Sequence, residues 1–304
     1  MTVGDMRPPF NGPRDPGDAW ALGPDGTKMW GRFGSAGLLV VDRARGVLLQ
    51  HRAAWSHFGG TWGIPGGARH QGEAAVDAAL RESHEEAAVP ADALEPLLTH
   101  VLDLGFWTYT TAVAWTVRPF EPQITDAESL ELAWVPVEEV GALPLHPKFA
   151  EAWPGLKPLL GRRPALVVDA ANVIGARPDG WWRDRAGAAR RLLGALAAAA
   201  ESGLPAGLLG LGVHTAWPHA VVVLEGQAKE ALAGNDLAGD APRLEVARAA
   251  GSGDDEIVER VRALREGGTP VTVATSDRAL RERVAALGAR SIGAGALREA
   301  LAHP

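Results

Sequence analysis

Residues 66–89 read GGARHQGEAAVDAALRESHEEAAV. After Gly72 the apolar positions recur at helical spacing, and three carboxylates, Glu82, Glu85 and Glu86, fall within five positions. On a helical wheel at about 100° per residue with Glu82 at zero, Glu85 falls near −60° and Glu86 near +40°. Val76, Ala79, Leu80, Ser83 and Ala87 spread from about +60° to about +160°. The acids therefore share one face and the apolar residues another. An exposed like-charged pair at this spacing costs only a few tenths of a kcal/mol, so the helix alone suits a solvated face as well as a metal platform.

Around this helix, GLLVVD (37–42) and GVLLQHR (46–52) are short β-branched runs that predict a hairpin. A Gly/Pro-rich loop, GGTWGIPGG, leads into the helix. Downstream, VLDLGFWTYTTAVAWTV (101–117) and LELAWVPV (130–137) predict further strands, followed by a short helix. This half is a mixed α/β domain with an antiparallel character. Pro154, Pro158 and Pro164 interrupt regular structure in AEAWPGLKPLLGRRP (150–164), which places a linker at 151–163 and a join near residue 162. The Pro- and Gly-rich start, residues 1–30, is expected to be a loose arm.

The second half changes rhythm. ALVVD (165–169), GLLGLGV (207–213), AVVVLE (220–225) and PVTVATSD (270–277) predict strands, alternating with helices over 183–200, over 254–266 and after residue 277. Strict alternation predicts a doubly wound, mainly parallel sheet, whose ligands lie beyond the carboxyl ends of its strands. Acids stand at those ends: Asp169 with Asn172, Glu225, the pair Asp254–Asp255, and Asp277. They form either a carboxylate metal site or a set of helix starts, where acids are favoured anyway.

The chain has 304 residues, enough for two domains. It has no cysteine, so a metal would sit on carboxylates, His or carbonyls. Its net charge of −7 is uneven: 12 basic against 20 acidic residues up to residue 160, and 18 against 17 beyond. Overall charge thus does not point to nucleic acid. No apolar run approaches the roughly 20 residues of a membrane span, and the cytoplasm is the expected compartment. Oligomeric state leaves no mark on the sequence.

Gly67, five residues, Glu73, seven residues, Arg81–Glu82, two residues, Glu85–Glu86, two residues and Val89 resemble the box of the Nudix hydrolases, and the likeness extends over about residues 36–150. Ser83 stands where an aliphatic residue is usual, and Ala88 replaces a Gly, so the turn after the helix is expected to be strained or reshaped. The resemblance implies a Nudix-type mixed-sheet α/β/α sandwich over 31–150 that hydrolyses a nucleoside diphosphate linked to another moiety. It implies Mg²⁺ or Mn²⁺ on Glu82, Glu85 and Glu86. The general base would be one of these or a loop acid, Glu128 or Glu131. Arg81 can pair with Glu85, and Glu73 lies at the helix start, in a supporting role or simply favouring the dipole. Gly66, Gly67, Arg52 and Trp62 are candidate substrate contacts. Arg52 could be a plain surface arginine, and Trp55, His57 and Trp62 could stack on a base or pack beneath the loop.

VVDAANVIG, GSGDDEIV and ATSDRAL resemble the PIN-like nuclease superfamily, in its NYN branch, over about residues 164–292. The resemblance implies a PIN-like domain (164–304) with metal ligands Asp169, Asp254, Asp255 and Asp277, and with Asn172 positioning substrate or water. In RPDGWWRDRAGAARR (177–191), Arg177, Arg183, Arg185, Arg190 and Arg191 oppose Asp179 and Asp184 around Trp181 and Trp182. That mix suits single-stranded RNA, and snorkelling arginines over buried tryptophans fit it nearly as well. The alternative to a pyrophosphohydrolase with an RNA-cleaving or RNA-binding second domain is a ribonuclease whose first domain senses a nucleotide or trims 5′ ends. A third possibility is that either half is a binding module only.

Overall fold

The computed structural model describes residues 15–177, 180–232 and 243–302. Residues 1–14 of the expected arm and Asp179 lie outside the described residues. The chain divides into two compact units, Met1–Gly161 and Arg162–Pro304.

The first unit opens with β1 (Trp20–Leu22) and β2 (Lys28–Trp30), an antiparallel hairpin. This corrects the expectation of a loose arm for residues 15–30. Trp20 lies edge-on to Trp30 at 5.3 Å and to His57 at 6.4 Å, so aromatic contact outweighs the local Pro/Gly content. The main sheet follows: β3 (Ser35–Asp42), β4 (Gly46–Arg52), β5 (Trp62–Gly63), β6 (Gly66–Ala68), β7 (Leu94–Asp103), β8 (Thr108–Thr116) and β9 (Ser129–Val135). Its central order is β7-β8-β3-β4-β5, with β6 on β3 and β9 on β4. The β3–β8 pairing is parallel and the rest are antiparallel, which makes the sheet mixed.

Helix α1 (Ala75–Ala87) buries Ala78, Ala79 and Ala87 against Ala36, Leu38, Ala112 and Ala114 on one sheet face. On the other face the Trp115 Nε1–H donates to the Leu160 carbonyl at 2.9 Å. Helix α2 (Pro147–Leu156) contains Pro154, and a 3₁₀ turn covers Lys157–Leu159. Most of the expected linker is therefore regular structure. Burying Phe149, Trp153 and Leu156 outweighs the one N–H that Pro154 lacks.

In the second unit β10 (Ala165–Asp169) is buried at every position, as a strand covered on both faces must be. The chain continues through α3 (Ala170–Gly175), α4 (Arg185–Ser202), the short pair β11 (Leu204–Pro205) and β12 (Thr215–Ala216), β13 (His219–Leu224), β14 (Leu244–Arg248), α5 (Gly253–Glu266), β15 (Val271–Ala274), α6 (Arg278–Ala286), β16 (Arg290–Ile292) and α7 (Ala294–Ala302). The sheet order β14-β13-β10-β15-β16 is parallel throughout. The chain leaves β10 to one side and returns to the other, so the switch point lies at the carboxyl end of β10. GLLGLGV is not a strand. Ala206–Leu209 form a 3₁₀ turn, and Gly210 at φ +72° bends the chain away from an extended course.

A buried carboxylate helix and a second acid cluster

The three acids of α1 do not share one environment. Glu86 is buried, and its Oε2 accepts the Gly66 N–H at 2.9 Å and, at 3.4 Å, Gln50 Nε2. The Glu82 side chain is 15% exposed and Glu85 56%. A freely solvated acidic face is thereby excluded. The two glycines expected to touch substrate also have structural tasks. Gly66 supplies the N–H to Glu86, and a Cβ on Gly67 would lie 2.5–2.6 Å from the Glu82 carboxyl atoms. Bare backbone on β6 is what lets the Glu82 carboxylate lie there.

Arg81 holds the group together. Its Nε and Nη2 donate to the two Glu73 oxygens at 2.8 and 2.9 Å, a bidentate pair. Its Nη1 reaches Glu82 at 2.8 Å and Glu85 at 3.2 Å, and Nη2 also donates to the Ala68 carbonyl. Glu73 additionally accepts the His70 N–H. It is thus the anchor of Arg81, which goes beyond a favourable charge at a helix start.

Burial pushes Glu82 up to about 7 despite Arg81, and burial, then Glu82 and Asp126, raise Glu86 well above the carboxylate range. Arg81 offsets part of the charge of Glu82, and the Gly66 N–H and Arg52 part of that of Glu86, yet burial still dominates at both. The donors are hard carboxylate oxygens with acceptor capacity to spare, which suits Mg²⁺ or Mn²⁺. Among the described residues no three acidic or histidine side chains are gathered closely enough to hold an ion as they stand. Glu82 Oε1 is turned to Arg81, and Glu85 extends to solvent.

Around the acids, Arg52 ends β4, donating from Nε to the His57 carbonyl and lying 3.6 Å from Glu128. The charge of Glu128 is thereby taken up by Arg52, and Glu131 is exposed on β9. The loop acid whose charge reaches Glu86 is instead Asp126, which accepts from Ser129 Oγ. Ser129 in turn accepts from Gln50, and Thr125 ties the same loop to the Glu85 carbonyl. Asp126, Gln50 and Asp18, whose charge is felt at Glu82, were not anticipated, because no motif spacing marks them. Trp62 is stacked on His51 at 4.8 Å.

Ser83 and Ala88 are accommodated in place. Ser83 is buried and donates to the Leu80 carbonyl. Ala88 adopts φ 51°, ψ 31°, while its N–H reaches the His84 carbonyl and the Val89 N–H the Ser83 carbonyl. The glycine-type helix ending is kept, strained but not reshaped.

In the second unit, Asp169 is buried at the switch point. Its Oδ1 caps α3 through the Asn172 N–H, and its Oδ2 accepts from Thr275 at 2.8 Å. Asn172 Oδ1 accepts the Ser276 N–H at 2.7 Å, stitching the end of β10 to the loop after β15. Asp277 caps α6 through Leu280. Burial, chiefly, raises both Asp169 and Asp254, and each feels Glu225, while Asp254 also feels Asp277. Glu225 accepts the Gly253 N–H and belongs to the group. Asp255 does not point the same way, being 71% exposed and paired with Arg283 at 2.6 Å. Arg183, Arg185, Arg190 and Arg191 are exposed, as is Trp182, and the Arg185 guanidinium lies 5.5 Å from the Trp181 ring. Among the described residues no helix is long and apolar enough to cross a membrane.

The first unit is thus a mixed sheet carrying a helix whose Glu82 and Glu86 are backed by glycine backbone. The NUDIX domain family matches residues 31–156. A putative 8-oxo-dGTP diphosphatase 3 of Mycobacterium tuberculosis is 47% identical over 154 residues, covering 47% of this chain and 70% of that protein. A nucleoside triphosphate pyrophosphatase/Nudix hydrolase fusion protein of Bifidobacterium longum is 41% identical over 155 residues, covering 48% of this chain and 32% of that one. A crystal structure of a Nudix hydrolase from M. smegmatis, RenU, is 44% identical with a TM-score of 0.44, covering 47% of this chain and 94% of that one. The chain belongs to the Nudix hydrolase family and is a hydrolase.

Proposed function

We propose that residues 31–150 are a Mg²⁺- or Mn²⁺-dependent pyrophosphohydrolase acting on a nucleoside diphosphate linked to another moiety, in the cytoplasm. A deoxyguanosine triphosphate with an oxidised base is the first candidate substrate, supported by the name of the M. tuberculosis relative. The observation that carries the reading is the placement of Glu82 and Glu86, withdrawn from water against Gly67 and the Gly66 N–H. Glu82, Glu85 and Glu86 would hold the cation, which when bound shields the phosphates and lowers the pKa of attacking water. Arg81, anchored by Glu73, orients Glu82 and Glu85. Arg52 contacts phosphate, and Asp126 takes the place of Glu128 as loop base. Purified protein should release nucleoside monophosphate from some member of a nucleotide panel. Activity untouched by Glu85→Gln and by Glu86→Gln would sink the assignment.

A second reading concerns residues 164–304 as a PIN-like, NYN-type domain that cleaves or binds single-stranded RNA. The support is that Asp169 at the switch point feels the charges of Asp254 and Glu225, and Asp254 those of Asp277 and Glu225, with exposed arginines beside Trp182. It predicts Mn²⁺-dependent cleavage of single-stranded RNA that Asp169→Asn abolishes. If this is the only activity found, the first domain is left with a nucleotide-sensing or end-trimming role.

A further inference from the structure

Gln50 stands on β4 after Leu48 and Leu49 and is fully buried. Leu48, two positions back and therefore on the same sheet face, packs with Ala78, Ala79 and Ala87 of α1. Gln50 thus brings an amide to the face that α1 covers, where an apolar side chain would leave no polar group to satisfy. Its Nε2 lies 2.7 Å from Ser129 Oγ and 3.4 Å from Glu86 Oε2, while its Oε1 has no partner among the described residues. A buried amide with an unmet oxygen destabilises the fold, so packing does not account for it.

The direction of the link is fixed. Ser129 has a single hydroxyl proton and gives it to Asp126 Oδ1 at 2.8 Å, so towards Gln50 it can only accept. The amide must turn its NH₂ to Ser129, and the other N–H of that group faces Glu86. Among the described residues both hydrogen bonds to the Glu86 carboxylate, from Gly66 and from Gln50, go to Oε2, which leaves Oε1 to a cation. The loop that carries Asp126 is tied down without this link. The Gln123 N–H donates to the Ala87 carbonyl, and the Thr125 N–H and hydroxyl donate to those of Glu86 and Glu85, at the end of α1. What Gln50 and Ser129 add is the relative position of two side chains, Glu86 on the helix and Asp126 on the loop.

We propose that Gln50 is a positioning residue: its amide, set by Ser129, holds Glu86 through Oε2 and ties it to Asp126, so that cation ligand and loop base keep one separation. This rests on the pyrophosphohydrolase reading of the first domain. The test is Mn²⁺ alone, titrated into the full-length protein and followed by the EPR signal of the free ion, beside steady-state kinetics and the melting temperature. Gln50→Met keeps the side-chain length and removes both donors. Mn²⁺ should then bind about 10-fold more weakly and kcat fall by about 10- to 100-fold, as when a metal ligand loses its hydrogen-bond partner, while KM stays within about threefold. The melting temperature should hold or rise, because an apolar side chain replaces a buried amide with an unmet oxygen. Ser129→Ala breaks the same link at its middle and should weaken both Mn²⁺ binding and kcat, and it decides the question should Gln50→Met fail to fold. A Mn²⁺ affinity equal to that of the natural chain overturns the assignment, and so does a kcat that holds at saturating Mn²⁺. Weakened Mn²⁺ binding in a protein that hydrolyses no member of the panel refutes the hydrolase reading and leaves the link standing.

Discussion

The sharpest consequence of the carboxylate site lies in a residue with no side chain. In Gly67→Ala the new Cβ would begin 2.5–2.6 Å from Cδ, Oε1 and Oε2 of Glu82, where ordinary contact starts near 3.4 Å. The methyl therefore displaces the carboxylate by about 0.9 Å, and a misplacement of about 1 Å at a reacting centre can cost about 100-fold in rate. The cost to folding is small by comparison, because the atoms that must yield are the far end of a flexible side chain and not backbone. The expected outcome is a fall of about 100-fold in kcat with a melting temperature changed by only a few degrees. Steady-state hydrolysis of the best substrate, beside differential scanning fluorimetry, reads both. Full activity in Gly67→Ala would refute the argument that bare backbone positions Glu82, and an unfolded variant would refute the claim that Glu82 yields easily.

Ala88→Gly should stabilise the first unit by about 0.5–1 kcal/mol. A left-handed Ala costs about 1–2 kcal/mol, and glycine gives part of that back in unfolded-state entropy. Urea unfolding measures the difference. His146 is held neutral, burial first and then Arg52 pushing it down to about 4 from 6.5. The unfolded chain thus binds the extra proton as pH falls from about 6.5 to about 4, and stability declines across that window. Allowing for solvent contact, the loss by pH 5 is about 1 kcal/mol, and His146→Gln should flatten that slope in unfolding midpoints measured from pH 7 to 5. Asp255→Asn, which breaks an exposed pair with Arg283, should leave any RNA cleavage within about twofold while Asp169→Asn abolishes it. Equal losses in a gel assay would put Asp255 back in the site.

What could be read from the chain follows the range of the forces involved. The α1 helix, the β3–β4 hairpin and the β10 and β13 strands are written in local periodicity, and the Gly67, Glu73 and Arg81 spacing is itself a local record of the clamp that Arg81 forms. The burial of Glu86 is not local. It depends on a Gly66 N–H from β6 and on Gln50 from β4, so a helical wheel groups Glu86 with Glu85 although their surroundings are opposite. Asp126 was missed for the same reason, since it approaches the carboxylates only through loop closure. GLLGLGV misled because composition favoured a strand while Gly210 took a left-handed turn.

The two acid groups are built on different physical plans. In the second unit Asp169 and Asp277 cap the helices that follow them, so the first turn of a helix aims each carboxylate, and Asn172 locks the two loops together. Their direction is written in residues two or three positions away. In the first unit the acids stand within and towards the end of a helix, where nothing local caps them, and orientation comes from the bidentate Glu73–Arg81 pair and from glycines on a neighbouring strand. Replacing a capping Asp by Asn removes charge and keeps the helix start, because both residues cap well. No such near-neutral replacement exists for Gly67, since every other residue brings a Cβ against Glu82. The first site is consequently sensitive at positions that carry no functional group, whereas the second is sensitive chiefly at its acids.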